Sequence, residues 1–170
     1  RYMTISMYQS SVPVFIHNLN NLSEILKKAA DHAEAKKIEP SVLINSRLFP
    51  DMLPLVRQVQ IASDAAKASV ARLAEIEVTS FEDNETSFAD LQERIAKTIK
   101  FLQTIKPAQI DGKEELKISY FQHGKDRNFV GLPYLLNWAL PNIFFHITTA
   151  YAILRHNGVE IGKKDYLGNA

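Results

Sequence analysis

The sequence predicts an all-α protein, an antiparallel four-helix bundle with a short β-hairpin inserted before the last helix. Four segments carry apolar residues at the spacing of an amphipathic helix. The first 111 residues contain no glycine, and all six glycines come later. Because glycine is costly inside helices and useful in turns, this distribution predicts long helices followed by a part rich in turns. Helices with one apolar stripe bury it by packing as a bundle.

Length and composition fit a single domain spanning residues 1–170. Hydrophobic residues make up 46% of the chain and charged residues 23%, a balance that argues against disorder. The net charge of +1 indicates no electrostatic surface for nucleic acid, so nucleic acid is not expected as a partner. The absence of cysteine excludes disulfides and thiolate nucleophiles and fits a reducing compartment, which we take to be the cytoplasm.

Two segments bear on whether the chain meets a membrane. Residues 1–3 lack the pattern of a secretion signal. Residues 129–154 contain no Asp, Glu, Lys or Arg, and this length is enough to cross a bilayer. The same segment holds two prolines, two asparagines and His146, and polar groups inside lipid are expensive. We therefore predict a buried helix and no membrane partner.

The first two helices are predicted from their apolar stripes. The first stripe covers residues 12–33, with Pro13 either in the first turn or at a kink. The second helix is predicted to have Asp51 as its N-cap, with Pro54 tolerated in the first turn. Its inward stripe comprises Met52, Leu55, Val56, Val59, Ala62, Ala66, Val70 and Leu73.

The third helix follows an acidic segment, residues 81–87, in which Asp83 and Glu85 are predicted to be solvated loop charges. Ser87 and Asp90 resemble a capping box at the helix start. Its buried side is predicted to comprise Phe88, Leu91, Ile95, Thr98, Leu102 and Ile105. Beyond it the period changes, and residues 116–130 predict a β-hairpin.

The last helix is predicted over residues 132–157, with Gly158 at the C′ position. It is apolar nearly all round, more than its bundle neighbours can cover, so a second surface is predicted to meet the hairpin, the tail or another copy of the chain. Of these we prefer a homodimer through this helix. Its main inward face is predicted to comprise Leu132, Leu135, Leu136, Ala139, Ile143, Ile147, Ala150, Ile153 and Leu154. The tail is predicted to be extended and to dock through Ile161, Tyr166 and Leu167.

Helical phase separates the five histidines. Only His146 lies on the predicted inward face, with Asn142 one turn earlier on the same face. This pair predicts either a core histidine satisfied by hydrogen bonds or a site in which both side chains bind an ion or ligand from one side. The other four are predicted to be surface groups: His17, His32, His123 and His156.

Four further side chains are weaker pocket candidates. Gln58 and Gln60 flank the stripe of the second helix and either form surface hydrogen bonds or turn toward the bundle centre. Asp51 is a helix cap or a general base, and Tyr151 points its hydroxyl into a pocket or toward a wet rim of the core. Because metals take three or more protein ligands, His146 is at most part of an incomplete divalent-metal site.

Four segments resemble a domain family of unknown function from bacteria and fungi. They are RLFPDMLPLVRQVQ (47–60), FEDNETSF (81–88), LPNIFFHITTAYAILRHNGV (140–159) and GKKDYLG (162–168). That family resembles a branch of the DinB/YfiT-like superfamily of metalloenzymes, whose members are four-helix bundles and commonly homodimers. The resemblance covers almost the whole chain.

The resemblance implies a metal site with one histidine on the second helix and a His-x-x-x-His pair on the fourth. His146 matches the second position of that pair, Asn142 replaces the first, and Gln58 or Gln60 falls near the second-helix position. An imidazole binds zinc, nickel or iron far better than a neutral amide does. The resemblance therefore implies a weakened site, to which the thiol transfer and hydrolysis of the superfamily do not carry over.

These observations leave three functions open, only one of which makes the chain an enzyme. The first is a small-molecule-binding bundle with a degenerate metal site and a pocket at the hairpin end, around His146 and Asn142. The second is a divalent-metal-dependent transferase or hydrolase whose rearranged site recruits a carboxylate such as Asp51. The third is a dimeric structural or interaction protein built on the apolar last helix.

Overall fold

The computed structural model describes residues 4–169, so that residues 1–3, considered above for a secretion signal, lie outside it. The chain is mostly helical. Its first half contains α1 (Val12–Lys36), α2 (Pro40–Ile44), α3 (Leu55–Leu73) and α4 (Phe88–Thr104). Its second half contains α5 (Pro107–Ile110), β1 (Lys117–Gln122), β2 (Lys125–Val130), α6 (Gly131–Tyr134), a π-helical segment (Leu135–Ala139), α7 (Leu140–His156) and α8 (Lys163–Leu167).

The four long helices contact one another in a closed circuit. Helix α1 packs against α4 and α7, and α3 packs against the same two helices. The apolar stripes that predicted the first three helices meet in one core, because burying a helix's apolar stripe against its neighbours is what stabilises it in water. Residues of these stripes that are fully buried include Phe15, Leu19, Leu22, Val59, Val70 and Leu91.

The start of α4 confirms the predicted capping box. The Ser87 hydroxyl accepts a hydrogen bond from the Asp90 backbone N–H at 3.1 Å, and the Asp90 carboxylate accepts one from the Ser87 N–H at 3.0 Å. These two bonds satisfy backbone donors that the first turn of a helix leaves unpaired.

The start of α3 differs from the prediction, because Asp51 is not its N-cap. The helix begins at Leu55, and Pro54 precedes it with an extended backbone, φ −71° and ψ 169°. Proline disfavours the helical conformation in the residue before it, so Leu53 is not part of the helix. Asp51 lies in an exposed turn, and Met52, predicted in the inward stripe, precedes the helix.

The predicted hairpin is present between α5 and the last helical segment. Strands β1 and β2 pair antiparallel, with Tyr120 opposite Arg127 and Ile118 opposite Phe129. The turn is the two residues His123 and Gly124, both with positive φ, 51° and 75°. Positive φ at both positions is characteristic of the tight type I′ turn, whose twist matches that of the strands.

The last helical segment runs from Gly131 to His156 and is interrupted by a π-helical turn. The predicted inward face is wrong at Leu132 and Leu136, which are 39% and 48% exposed, and it omits Tyr134, which is buried, whereas Leu135 is buried as predicted. A π turn takes up one extra residue, which rotates the preceding residues by about 100° relative to a regular helix. Within residues 4–169, no helix combines the length and apolarity needed to cross a bilayer.

The tail is not extended as predicted, but forms the short helix α8 against α1. The Asn21 amide donates to the backbone carbonyl of Tyr166 at 3.0 Å. His17, predicted to be solvated, has its Nε2 atom 2.8 Å from the Leu167 carbonyl. Ile161 is buried as expected, whereas the side chain of Leu167 is half-exposed.

Candidate functional site

A cleft of about 400 Å³ lies between α3, the hairpin and the last helical segment. One face of α3 forms its floor, because the residues that line it recur at helical spacing. These residues are Arg57, Ile61, Asp64, Ala65, Ala68, Ser69 and Arg72. The walls are formed by Tyr120, Gln122, His123 and Arg127 of the hairpin and by Tyr134, Trp138, Asn142 and His146.

An aromatic cluster holds the hairpin over the cleft, with Phe129 at its centre. The Phe129 ring centroid lies 6.0 Å from that of Tyr120, 5.1 Å from Tyr134 and 5.3 Å from Trp138. Aromatic pairs at such separations add to the stability that burial provides. Alternate residues of a strand share a face, so Tyr120, Arg127 and Phe129 all lie on the face that is turned to α3 and the last helix.

Gln58 sets the tautomer of His146. The Gln58 amide nitrogen donates to the Leu53 carbonyl at 3.0 Å, which turns the amide oxygen toward the imidazole. That oxygen lies 2.7 Å from Nδ1 of His146, and because an amide oxygen only accepts, Nδ1 carries the proton. The lone pair of the neutral ring is therefore on Nε2, which is free to accept a hydrogen bond in the cleft.

The surroundings of His146 favour its neutral form. Burial lowers the pKa of the ring below its ordinary value, because a buried imidazolium loses hydration. The edge of the neighbouring Phe145 ring adds an apolar contact at 5.2 Å between centroids. At neutral pH the site thus presents an uncharged hydrogen-bond acceptor with a defined orientation.

The six pocket residues proposed from the sequence do not all meet. His146 and Asn142 line the cleft, and Gln58 contacts His146 from beneath. Asp51 lies in its exposed turn, and neither Asp51 nor Tyr151 is part of the cleft wall.

Gln60, the sixth, is buried in a polar network and is not hydrogen-bonded at the surface. Its amide oxygen accepts from Arg57 at 2.6 Å, and its amide nitrogen donates to Glu85 at 2.7 Å. The side chain is 2% exposed. Gln60 therefore links the floor of the cleft to the acidic loop before α4.

The acidic loop is bound to the helices. The prediction that Glu85 is solvated is wrong, since its side chain is 7% exposed, whereas Asp83 is 43% exposed as predicted although it is ion-paired. Arg94 of α4, whose side chain is 1% exposed, pairs with Asp64 at 2.8 Å, Asp83 at 3.0 Å and Glu85 at 2.8 Å. Although burial opposes it, hydrogen bonds from Arg94 and Gln60 lower the pKa of Glu85. A buried guanidinium needs such partners, since an isolated charge in the protein interior is very costly.

A second cation lies under the same loop. The Lys67 ammonium is 3.4 Å from the centre of the Phe81 ring and has no hydrogen-bond partner within the described chain. Burial lowers the pKa of Lys67, because the ammonium loses hydration. The Phe81 ring and the nearby carboxylates of Asp64 and Asp83 stabilise the charged form and offset part of this loss.

Two arginines of the cleft, Arg72 and Arg127, are not among the residues predicted from the sequence. Arg72 of α3 lies with its guanidinium carbon 3.5 Å from the Tyr120 ring centroid, and that of Arg127 lies 5.3 Å from the Trp138 ring centroid. The hairpin pattern offered one signal, because it placed Arg127 in a strand, but the pairing of Arg127 with Tyr120 is known only from the observed register. No local pattern predicted that this face would dock on α3.

The residues of the cleft do not fit a tightly held divalent ion. Near His146 the possible metal ligands are one imidazole nitrogen and the amide oxygen of Asn142. The amide oxygen of Gln58 already accepts the hydrogen bond from Nδ1–H of His146. Across residues 4–169, no group of three or more His, Cys, Asp or Glu residues is arranged to hold a metal. Arg72 and Arg127 also oppose a cation in the same cleft by Coulomb repulsion.

Comparison with known proteins identifies close relatives of the chain. A family model described as "Domain of unknown function (DUF1993)" matches residues 7–167. The crystal structure of a DinB family member protein from Shewanella denitrificans is 44% identical in sequence and superposes with a TM-score of 0.87. The match covers 96% of this chain and 92% of that one. No curated protein matches the sequence.

Proposed function

The chain belongs to the DUF1993 family and is a DinB-like helical protein, and on this basis we propose that it binds a small molecule at a degenerate metal site. The proposal rests on the hydrogen bond between Gln58 and His146, which leaves the imidazole neutral and oriented, with one hydrogen-bond acceptor facing the cleft. Such a group recognises a hydroxyl or N–H of a ligand.

The shape and lining of the cleft support this proposal. Its volume of about 400 Å³ falls in the range of small-molecule sites, and the rings of Tyr120 and Trp138 supply apolar wall. Asn142 and His146 add polar groups from one side of the last helical segment. A few oriented polar groups among aromatic walls are typical of ligand pockets.

The competing function is a divalent-metal-dependent transferase or hydrolase. One observation favours it, since metal-bound histidines usually donate their second ring N–H to a carboxylate or carbonyl oxygen, as His146 does to Gln58. The available metal ligands argue against this function, because a single imidazole among neutral amides and arginines binds zinc or nickel weakly.

Metal content and ligand binding together test the proposal. Protein purified without a histidine tag is analysed for zinc, nickel, iron and manganese, and its binding of phenylacetamide, a neutral probe with an N–H donor, is followed by NMR. We expect metal well below one per chain, and binding that His146→Ala weakens about two- to tenfold through loss of one hydrogen bond. His156→Ala changes an exposed histidine of the same helix and is the matched control.

Two results would contradict the proposal. One is stoichiometric metal that is lost in His146→Ala but kept in His156→Ala, which would favour the metalloenzyme. The other is phenylacetamide binding that does not differ between wild type and His146→Ala.

We also propose that the chain forms one domain, an antiparallel four-helix bundle, located in the cytoplasm. The closed circuit of α1, α4, α3 and α7 supports the bundle, and two contacts support antiparallel packing of α3 and α7. Gln58 meets His146 near one end, and Ser69 lies 3.5 Å from the Tyr134 hydroxyl near the other.

The cysteine-free composition supports a reducing compartment, and fractionation of cells that produce the untagged chain tests the cytoplasmic location.

The apolar outer face of α7 supports the proposal of a homodimer. Phe145 is 56% exposed, and Leu48 from the connection before α3 lies against the same groove as Phe144 and Phe145. Phe49 and Leu53, from the same connection, are also exposed. A second copy meeting this face about a two-fold axis would cover both sets of side chains at once.

Sedimentation equilibrium tests the dimer. We expect wild type to sediment as a dimer and Phe145→Lys to sediment as a monomer, because a charge at the centre of an apolar interface is left unpaired. Phe121→Lys makes the same change at an exposed phenylalanine of the hairpin and should leave the dimer intact. A monomeric wild type at micromolar concentration would contradict the proposal.

A further inference from the structure

Two arginines at the hairpin end of the cleft lie close to aromatic rings. Tyr120 and Arg127 are opposite one another in the strand register, so their side chains are neighbours on one face. The guanidinium of Arg72 lies over the Tyr120 ring, and that of Arg127 lies beside the Trp138 ring. Stacking of this kind orients a guanidinium and leaves its N–H edge free for a partner.

The positive charge of these two arginines is not neutralised within the described chain. Arg57 of the same cleft pairs with Asp83 at 2.6 Å, and the cleft's own carboxylate, Asp64, pairs with Arg94 at 2.8 Å. Neither Arg72 nor Arg127 has a carboxylate within salt-bridge distance among residues 4–169.

Buried hydrogen-bond donors that lack an acceptor also lie at the hairpin end of the cleft. The Tyr120 hydroxyl and the Nε of Arg127 are both buried and have no hydrogen-bond partner among the described residues. Arg72 uses one N–H on the Tyr134 hydroxyl, 3.0 Å away. Buried donors are rarely left unpaired, so a group rich in acceptors is what this end of the cleft is missing.

We infer that the ligand of the cleft carries an oxyanion, a carboxylate or a phosphate, that binds between Arg72 and Arg127 and accepts from the Tyr120 hydroxyl. This inference rests on the proposed binding function and names its ligand class. Two oxygens on one atom match the parallel N–H groups of a guanidinium, and charge-assisted bonds of this geometry are the strong ones.

The rest of the cleft defines the shape of that ligand. Along α3, Gln58 and Arg72 are 14 residues apart, which is about 21 Å along the helix axis. Ala65 and Ala68 line the stretch between them and face the Trp138 side of the cleft. The ligand is therefore elongated, with its anionic group at the hairpin end, an apolar or planar middle, and a hydrogen-bond donor near His146.

The single tryptophan of the chain, Trp138, lines the cleft, so its fluorescence reports on binding there. The probes are phenylacetate and phenyl phosphate, each compared with neutral phenylacetamide, which has nearly the same shape as phenylacetate. We expect both anions to change the fluorescence saturably and at least one of them to bind about tenfold or more tightly than phenylacetamide. Which anion binds better separates a carboxylate ligand from a phosphate ligand.

Substitution of Arg127 identifies the group that binds the anion. Arg127→Gln should weaken anion binding about ten- to a hundredfold and leave phenylacetamide binding unchanged. Arg127→Lys keeps the positive charge but lacks the paired, coplanar N–H groups of a guanidinium. Its affinity for the anions should lie between those of Arg127→Gln and wild type. Arg155→Gln, at an exposed arginine in the last turn of α7, is the matched control and should bind like wild type. Circular dichroism confirms that each variant is folded.

The outcomes separate this inference from the proposed function. If neither phenylacetate nor phenyl phosphate binds more tightly than phenylacetamide, and all three are sensitive to His146→Ala, the oxyanion inference is overturned and the binding function stands. Anion binding that is unaffected in folded Arg127→Gln would also overturn it. If no probe changes the fluorescence at millimolar concentration, both the inference and the proposed function are wrong.

Discussion

At His146, a hydrogen bond and a loss of hydration act on the same ring. The bond to Gln58 fixes which nitrogen carries the proton, and burial lowers the pKa. The unfolded chain exposes the ring, whose pKa there is near its ordinary value of 6.5. The unfolded state therefore binds more protons than the folded state at pH values between the two pKa values.

The pH dependence of stability follows from that difference. The free energy of unfolding should rise as pH increases from below the folded-state pKa of His146 to about 6.5, because the unfolded state binds more protons than the folded state in that window. Urea unfolding measured across this range in wild type and His146→Gln checks it. His146→Gln should flatten the rise, and His156→Gln, at an exposed histidine, should not. A rise of equal slope in wild type and His146→Gln would show that another group is responsible.

Gly131, at the base of the hairpin, is the second residue on which the cleft depends. A Cβ atom there would lie 1.8 Å from the Lys113 carbonyl oxygen and 3.2 Å from that of Glu114. The backbone comes this close because Gly131 and Leu132 donate to the carbonyls of Leu116 and Glu114, at 2.8 and 2.9 Å. We expect Gly131→Ala to cost about 1–3 kcal/mol in urea unfolding. Gly162→Ala is the control, since its Cβ would meet open space.

At the scale of elements, the hairpin is held by its aromatic face. An isolated two-stranded hairpin is marginally stable in water, so its docking through Phe129 provides much of its order. Its other face is polar or exposed, as at Phe121. The cleft therefore exists only while this docking persists.

Removal of the Phe129 ring should open the cleft. We expect Phe129→Ala to destabilise the protein by about 3 kcal/mol, somewhat less if water fills the space, and to shift Trp138 emission to longer wavelength as the ring becomes hydrated. Phe121→Ala removes a 71% exposed ring from the same hairpin and should change neither quantity measurably. Unchanged emission in Phe129→Ala would show that the hairpin docks by other contacts.

At the scale of the whole molecule, Arg94 joins three parts of the chain. It lies on α4 and binds Asp64 of α3 and Asp83 and Glu85 of the intervening loop. Because Asp64 and Arg57 line the cleft while they pair with Arg94 and Asp83, this ion-pair cluster also positions the cleft floor.

Loss of this cation should destabilise the whole fold. We expect Arg94→Met to cost about 3 kcal/mol in urea unfolding, because Glu85 is left buried without its partner. The amides of residues 81–87 should also lose protection from hydrogen exchange. Lys97→Met breaks an exposed pair with Glu93 and should cost less than about 1 kcal/mol. An equal, small cost for both variants would show that solvent replaces the Arg94 contacts.

The helices and the hairpin were predictable because they follow from local period. Thr98 and Leu102 of α4 are buried where a 3.6-residue repeat puts them, and the hairpin lies where the period changes to two. The same repeat also indicates the position of a buried charge. Arg94 falls on the inward stripe of α4, three residues after Leu91, and a charge there requires carboxylate partners, which the acidic loop supplies.

The site was predictable only in part. The sequence predicted His146 and Asn142 as residues of one face, and the structure places both on the cleft. The Gln58 contact and the two stacked arginines arise where separate elements dock, and no periodicity within one element contains that information. The π turn misled the phase prediction for the same segment, since an extra residue in one turn leaves no periodic signal.

The π-helical segment Leu135–Ala139 makes the position of the hairpin depend on the length of the chain. Deleting one residue from it would restore a regular helix and rotate everything before it by about 100°. The hairpin, attached directly to α6, would be carried away from α3 and take Tyr120 and Arg127 with it. Homologues that differ by a single-residue gap at this point would then share the helical core yet lack the hairpin wall of the cleft, so an alignment gap here is itself informative about whether the cleft is present.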